Sequence, residues 1–193
     1  MSRSQQVVIV RHGETAWSRD GRHTGWTDIP LTPQGRAEAE ALRVRLERCR
    51  FRAVFASPLQ RAVDTCRLAG LSPDPQLRDE LREWDYGRYD GLTLAEIERA
   101  RPGWSLWRDG CPGGEDAAAG GARADRALAE IRQAPGPVAV VAHGHLLRVL
   151  TARWLGLAPE GGRYFALSPA GLGVLGYEHE DPVIDRWNVT PDF

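Results

Sequence analysis

Three short apolar runs, rich in valine, recur along this chain, and each is followed by a pattern typical of a helix. The runs are Gln6–Val10, Ala53–Ala56 and Pro137–Ala142. Continuous apolar runs of this length are typical of parallel strands that are covered on both faces. Strands that alternate with helices predict a single α/β domain over residues 1–193, a three-layer α/β/α sandwich with a mostly parallel central sheet.

Helix start signals place the helices between these strands. Thr32 followed by Pro33 predicts a capped helix start. Ser57 with Pro58 predicts the cap of a second helix that ends near Gly70. Further elements are predicted as helices over Thr93–Ala100, residues 116–133 and Gly144–Leu155, one short strand within Leu71–Leu81, and late strands over Val174–Tyr177 and Ile184–Val189.

Composition narrows the classes of partner. The net charge of −1 gives no global field for nucleic acid or an anionic membrane, and we expect neither as a partner. No apolar run is long enough to span a bilayer. Three cysteines without a CxxC pair suit a reducing compartment, so we expect a cytoplasmic protein. Apolar Trp154, Leu155 and Leu157 leave room for a homodimer interface.

Two histidines occupy equivalent places, directly after an apolar strand and before a glycine. They are His12, preceded by Arg11, and His143, while Arg61 lies early in the helix after the second strand. Ligands of open α/β sheets bind beyond the carboxyl ends of the strands, where these residues should meet. Arginine forms bidentate contacts to phosphate, and a glycine allows close approach of a ligand. The pattern predicts a pocket for a phosphate dianion.

Phosphoryl transfer requires charge stabilisation, an in-line nucleophile and an acid for the leaving oxygen. A neutral His12 can act as the covalent nucleophile, and Glu83, flanked by aromatic residues, is the best candidate for the acid. Two alternatives stay open: His143 as a core residue, and Glu83 as a solvated charge in an acidic loop. A metal site at His143 and His145 lacks an acidic or cysteine cluster to complete it. His23 and His179 are expected to be surface or loop residues.

The chain resembles the histidine phosphatase superfamily, also called phosphoglycerate-mutase-like. The matching segments follow the family order and are RHGET at Arg11–Thr15, Gly21–Gly35, Ser57–Cys66, Leu81–Gly91 and Ala142–Arg148. The resemblance implies a phosphohistidine intermediate on His12, a phosphate pocket of Arg11, Arg61 and His143, and Glu83 as proton donor. It also implies oxygen contacts from Ser18, Thr24 and Gly25, although the mutases carry asparagine where Ser18 stands.

Within that superfamily the chain is most similar to the sedoheptulose-bisphosphatase-like enzymes and the related broad-acting acid phosphatases. The resemblance implies a substrate rim formed by Tyr86, Arg108, Gly144, His145 and Arg148. Trp104 and Trp107 fall in the loop that covers the pocket in this subgroup, and core packing is the alternative role for each of them. The implied substrate is a small phosphorylated metabolite, a sugar phosphate or bisphosphate.

A mutase must retain a bisphosphorylated intermediate, which requires additional basic side chains. The mutases carry a basic insertion where this chain has PGWSLWRDGCPGGE, which offers chiefly Arg108. We therefore expect net hydrolysis. Because the arginines and His143 already neutralise the phosphate, we expect no metal or cofactor. Activity requires a neutral His12 and a protonated Glu83, so we expect an optimum at acidic to neutral pH. The alternatives are a cofactor-dependent phosphoglycerate mutase and a non-catalytic module that binds a phosphorylated ligand.

Overall fold

A computed structural model describes residues 5–190, which form one six-stranded sheet flanked by helices. The strands are β1 (Val7–Arg11), β2 (Ala53–Ala56), β3 (Gln76–Leu77), β4 (Val138–Ala142), β5 (Leu172–Glu178) and β6 (Asp181–Val189). Their order is β3-β2-β4-β1-β5-β6; the first four are mutually parallel, and β5 and β6 are antiparallel to their neighbours. The mostly parallel sheet predicted from the sequence is confirmed.

Helices cover both faces of the sheet. They are α1 (Ala16–Arg19), α2 (Pro33–Leu46), α3 (Gln60–Leu68), α4 (Leu94–Ala100), α5 (Leu106–Asp109), α6 (Ala117–Gln133) and α7 (Gly144–Trp154). Short 3₁₀ turns span Asp79–Leu81, Gly87–Tyr89 and Pro159–Tyr164. Alternate residues of β1 pack into two separate cores: Val8 and Val10 join α2 and α3, whereas Val7 and Ile9 join α6 and α7. The three-layer sandwich follows from this alternation.

Of the two caps predicted for α2 and α3, one agrees with the structure and one does not. The Thr32 hydroxyl accepts a hydrogen bond from the Gly35 N–H at 3.0 Å and caps α2 as predicted. Ser57 does not cap α3, which begins at Gln60. The Asp28 carboxylate, 32 residues upstream, accepts the Gln60 N–H instead, at 2.9 Å. A cap supplied from another loop leaves no local sequence signal.

None of the helices between residues 5 and 190 combines the length and apolar character needed to cross a bilayer.

The sheet matters for function because β1 and β4 are parallel neighbours, with Arg11 opposite Ala142. The next residues, His12 and His143, therefore leave the same edge of the sheet side by side. This edge carries the candidate site.

Candidate active site

The two strand-end histidines are in contact, as the sequence predicts. The ring centroids of His12 and His143 are 5.1 Å apart in an edge-to-face arrangement. Both side chains are buried, with relative exposures of 3% and 0%. Parallel pairing of β1 and β4 brings together two residues that are separated by most of the chain.

His12 is held as a neutral ring with a free Nε2. Its Nδ1 lies 2.7 Å from the Gly13 carbonyl oxygen, which can only accept, so Nδ1 carries the proton. Burial, with the nearby guanidinium groups of Arg61 and Arg11, lowers the pKa of His12 well below 6.5. The Nε2 lone pair is therefore available at neutral and mildly acidic pH. This is the state that a histidine nucleophile needs.

His143 has the opposite tautomer. The Arg61 Nε donates to His143 Nδ1 at 3.2 Å, and His143 Nε2 donates to the Ser57 hydroxyl at 2.7 Å. Burial and the Arg61 charge lower the pKa of His143 well below 6.5, so the ring is neutral at pH 7. Its contribution to the site is hydrogen bonding and not positive charge. Ser57 directly follows β2. The reasoning that placed the residues after β1 and β4 in the site would also have placed Ser57 there.

Arg11 has an unused hydrogen-bond donor. One terminal nitrogen donates to the Leu167 carbonyl at 2.6 Å, while the buried Nε has no partner. Among residues 5–190 no carboxylate lies within ion-pair distance of this guanidinium. A buried donor without a partner is rare and calls for an acceptor from outside the protein. An anion satisfies both its charge and its free N–H.

Arg61 lies beneath the site with its hydrogen bonds already made. It is fully buried and donates to the carbonyls of Gly25 at 2.7 Å and Thr27 at 3.0 Å, with the Asp28 carboxylate 3.9 Å away. Gly25 is fixed in turn, because its N–H donates to the Asp90 carboxylate at 2.8 Å. Arg61 thus adds positive charge beneath the two histidines and orients His143.

Glu83 is not the solvated charge of the alternative interpretation. Its side chain is 5% exposed, and its carboxylate lies at the N-terminus of α7. One oxygen accepts the N–H groups of Trp84 at 2.8 Å and Leu146 at 2.9 Å, and the other accepts the His145 N–H at 3.1 Å. A helix N-terminus favours negative charge, so the carboxyl is fixed at the wall of the site.

A cavity of about 210 Å³ lies in front of His12. The residues that line it are Arg11, His12, Ser18, Gly21, Arg22, His23, Thr24, Glu83, Tyr86, Gly144, His145, Arg148 and Leu167. Most of the predicted contact residues are thus brought together. Gly25, Arg61 and His143 lie behind the lining. Arg108 lies apart, because its exposed guanidinium donates to Asp109 and to the Gly103 carbonyl.

His23, expected at the surface or in a loop, lies in the loop after α1 and also forms part of the cavity wall. Its Nδ1 donates to the Leu92 carbonyl at 2.9 Å, and its ring lies 4.9 Å from Tyr86 and 5.5 Å from Trp104, edge to face. The neighbouring Arg22, also missed, lines the cavity as well. Both positions depend on how the loop after α1 packs on the loop that carries Glu83, which local sequence does not indicate.

Tyr86 and His145 form a buried hydrogen-bonded pair on the same wall. Burial raises the pKa of Tyr86 and lowers that of His145, so both groups are neutral, and the phenol oxygen is hydrogen-bonded to His145 Nδ1. Trp107 packs edge to face on His145 at 5.4 Å, and the Arg148 guanidinium lies 4.8 Å from the Trp107 ring. Trp107 therefore packs against two residues of the cavity wall. It has both a packing role and a position beside the cavity.

The two glycines after the histidines serve close packing within the protein. A Cβ on Gly13 would lie 2.2 Å from the Gly35 carbonyl oxygen at the start of α2. A Cβ on Gly144 would lie 3.3 Å from the Arg11 guanidinium carbon. The sequence predicts that both glycines allow close approach of a ligand. Gly13 instead allows backbone contact, and Gly144 lets Arg11 lie against α7.

The buried neutral histidines make stability depend on pH. We expect the free energy of unfolding to fall as pH drops below about 6.5, because His12, His143 and His145 take up protons only when unfolded. The slope should approach about 1.4 kcal/mol per pH unit for each histidine. Urea unfolding between about pH 7.5 and about pH 5.5 measures it. His145→Gln should reduce the slope by about a third, and a free energy independent of pH would contradict the neutral states.

Comparison with known proteins agrees with this geometry. Residues 7–190 match the model of the histidine phosphatase superfamily, branch 1. An acid phosphatase of Mycobacterium tuberculosis is 41% identical over 181 residues, covering 92% of this chain and 89% of that protein. The sedoheptulose 1,7-bisphosphatase of Saccharomyces cerevisiae is 38% identical over 194 residues, covering 82% and 70%.

A solved structure shares the whole fold. It is that of a Mycobacterium tuberculosis open reading frame product, which is 39% identical and superimposes with a TM-score of 0.92 over 98% of this chain and 100% of that one. Sequence, fold and the paired strand-end histidines lead to the same assignment. The chain belongs to branch 1 of the histidine phosphatase superfamily, and it is a phosphatase.

Proposed function

We propose that this chain hydrolyses small phosphomonoesters, with sugar phosphates and bisphosphates as the substrate class, through a phosphohistidine on His12. The observation that carries the proposal is the tautomer of His12, whose protonated Nδ1 is bound to the Gly13 carbonyl and whose Nε2 is unprotonated. Arg11, with an unpaired buried Nε, lies beside it in the same cavity. Together they supply a nucleophile and a site for the anion that it attacks.

In the first step the His12 Nε2 attacks phosphorus while the ester P–O bond breaks. Glu83 in its protonated form gives its proton to the leaving oxygen, so an alcohol departs and not an alkoxide. A phosphate dianion beside Glu83 disfavours a second negative charge, which promotes uptake of that proton. In the second step water attacks phosphorus and gives a proton to Glu83, while the P–N bond breaks. Inorganic phosphate leaves, and neutral His12 is regenerated.

Positive charge and hydrogen bonding stabilise the transferred group. Arg11 offers its free N–H, and Arg61 adds positive charge below the histidines. Ser18 and Thr24 are proposed oxygen contacts, with the Ser18 hydroxyl already paired with the Thr15 backbone. His143 is a further proposed contact, for which its Nε2–H must exchange the Ser57 hydroxyl for a phosphate oxygen. The two guanidinium groups supply the charge neutralisation that a metal ion would otherwise provide.

The size and charge of the cavity support a small, multiply anionic substrate. About 210 Å³ is below the range of roughly 300–1,000 Å³ typical of pockets for drug-sized ligands. Arg148 donates to the Gly162 carbonyl at 3.0 Å and the Arg163 carbonyl at 2.9 Å, and no carboxylate of residues 5–190 forms an ion pair with it. Arg22 also lines the cavity but is paired with Glu96 at 3.5 Å, so Arg148 is the cation that suits a second phosphate. The bisphosphatase relative supports the same substrate class.

Mutase activity is the second candidate, because the superfamily also includes phosphoglycerate mutases. Retention of a bisphosphorylated intermediate requires cations in the covering loop. In this chain the Arg108 guanidinium is engaged by Asp109 and the Gly103 carbonyl and does not face the cavity. Fewer anchors for the intermediate favour attack by water on the phosphohistidine.

A substrate panel tests the proposal and separates these activities. Sugar bisphosphates, phosphoglycerates and 4-nitrophenyl phosphate are incubated with the protein, and released phosphate and isomerised phosphoglycerate are both measured. We expect phosphate release to exceed isomerisation, with bisphosphates preferred, and EDTA to leave turnover unchanged. Isomerisation faster than phosphate release would identify a mutase. Loss of turnover with EDTA would contradict the absence of a metal, and ligand binding without turnover would contradict the mechanism.

A further inference from the structure

The acid loop, Arg82–Tyr86, carries Glu83 and has no helix or strand of its own. Carbonyl groups of this loop and of the 3₁₀ turn before it converge on one buried side chain, that of Arg123 in α6. The Arg123 guanidinium donates to the Glu80 carbonyl at 3.0 Å, to the Arg82 carbonyl, and to the Glu83 carbonyl at 3.1 Å. The Trp26 indole N–H also donates to the Glu83 carbonyl, at 3.0 Å. The backbone on the N-terminal side of the carboxyl is therefore held by a planar group from a regular helix.

Glu115 secures the other side of the acid loop. Its carboxylate accepts from the Arg123 Nε at 2.7 Å and from a terminal nitrogen at 2.6 Å, a bidentate pair with side-chain exposures of 8% and 15%. The same carboxylate accepts the Asp85 N–H at 3.0 Å. The Glu115 carbonyl accepts the Trp84 indole N–H at 3.1 Å. Arg123 and Glu115 thus bind the residues on both sides of Glu83.

Neither of these two residues lines the cavity. A general acid must meet the leaving oxygen within hydrogen-bond reach, and a displacement of about 1 Å can cost about 100-fold in rate. We infer that Arg123 and Glu115 are positioning residues, which set the Glu83 carboxyl for proton transfer by fixing the backbone of the acid loop. This inference rests on the proposed function, because it assumes that Glu83 is the proton donor.

The test compares two substrates that differ in their need for the acid. 4-Nitrophenolate leaves without a proton, whereas the alkoxide of glycerol 2-phosphate requires one. The quantity measured is the ratio of kcat/KM for the aryl ester to kcat/KM for the alkyl ester. This ratio is independent of the fraction of folded enzyme, so it remains informative for a destabilised variant.

Arg123→Lys and Glu115→Gln are each expected to raise this ratio about tenfold or more. Lysine cannot reproduce the planar, multiply bonded contact, and glutamine removes the counter-charge. Inhibition by vanadate should change by less than about threefold, since the phosphate pocket is not touched. The matched control is Arg126→Lys on the exposed side of the same helix, which should leave the ratio unchanged.

Glu83→Gln is the reference variant. It distinguishes failure of the positioning role from failure of the assignment of the proton donor. If Glu83→Gln raises the ratio and the Arg123 and Glu115 variants leave it unchanged, the positioning role is wrong and the mechanism stands. If Glu83→Gln itself leaves the ratio unchanged, the assignment of the proton donor fails, and the positioning role fails with it. A rise in the ratio for all three variants, with no further rise when Arg123→Lys is added to Glu83→Gln, supports the inference.

Discussion

Replacement of His12 by alanine is expected to lower kcat by about 10⁴-fold or more, for aryl and alkyl esters alike. Of the two strand-end histidines, His12 alone has an unprotonated nitrogen without a hydrogen-bond partner among residues 5–190, because both nitrogens of His143 are engaged by Arg61 and Ser57. Binding of the anion should persist, since Arg11 retains its unpaired donor. Steady-state turnover, with vanadate inhibition as the measure of anion binding, checks both expectations.

A trapping experiment distinguishes the covalent route from direct attack by water. Wild-type protein quenched during turnover of a ³²P-labelled ester should carry an acid-labile label at His12, and the alanine variant should carry none. His179→Asn is the matched control, because His179 lies at an exposed turn between β5 and β6 with φ of 56°, which asparagine tolerates. Near-normal turnover by His12→Ala, or a label elsewhere, would refute the phosphohistidine.

The fold was largely predictable because its signals are local. Valine-rich runs mark β1 and β4, and Thr32 and Thr93 cap their helices through hydrogen bonds within three residues. The contact between His12 and His143 was predictable too, because the residues that follow two neighbouring parallel strands lie at the same edge of the sheet. Both inferences need only the chain pattern and the general geometry of α/β sheets.

Features that depend on contacts between distant loops could not be predicted. His23 faces the cavity because the loop after α1 packs on Tyr86, and Asp28 caps α3 from 32 residues away. The clustering of Arg123 beneath the acid loop likewise depends on the packing of α6. Tautomers are a further case, because the tautomer of His143 follows from Arg61 Nε facing its Nδ1, which no sequence spacing specifies.

Replacement of Glu83 by glutamine is expected to lower kcat/KM for glycerol 2-phosphate by about 10²–10⁴-fold, the usual contribution of a general acid. The loss with 4-nitrophenyl phosphate should be much smaller, because that leaving group departs as the anion. Glutamine keeps the shape and can still accept N–H donors at the start of α7, but it has no proton to transfer. The dependence on the leaving group therefore isolates the chemical role from the capping role.

The pH profile gives an independent measure of the same carboxyl. In the wild type kcat/KM for the alkyl ester should fall on the alkaline side, where the general acid is no longer protonated, and this fall should disappear in Glu83→Gln. The acidic limb, set by protonation of His12, should stay below pH 6.5 in both proteins, since burial and two guanidinium groups lower the pKa of that ring. Asp116→Asn removes another helix-capping carboxylate, whose bond to the Ala119 N–H is 2.8 Å, and should leave the profile unchanged. An alkaline limb that survives in Glu83→Gln would assign the acid to another group, and Tyr86, with its raised pKa and its place in the cavity, would be the first to replace.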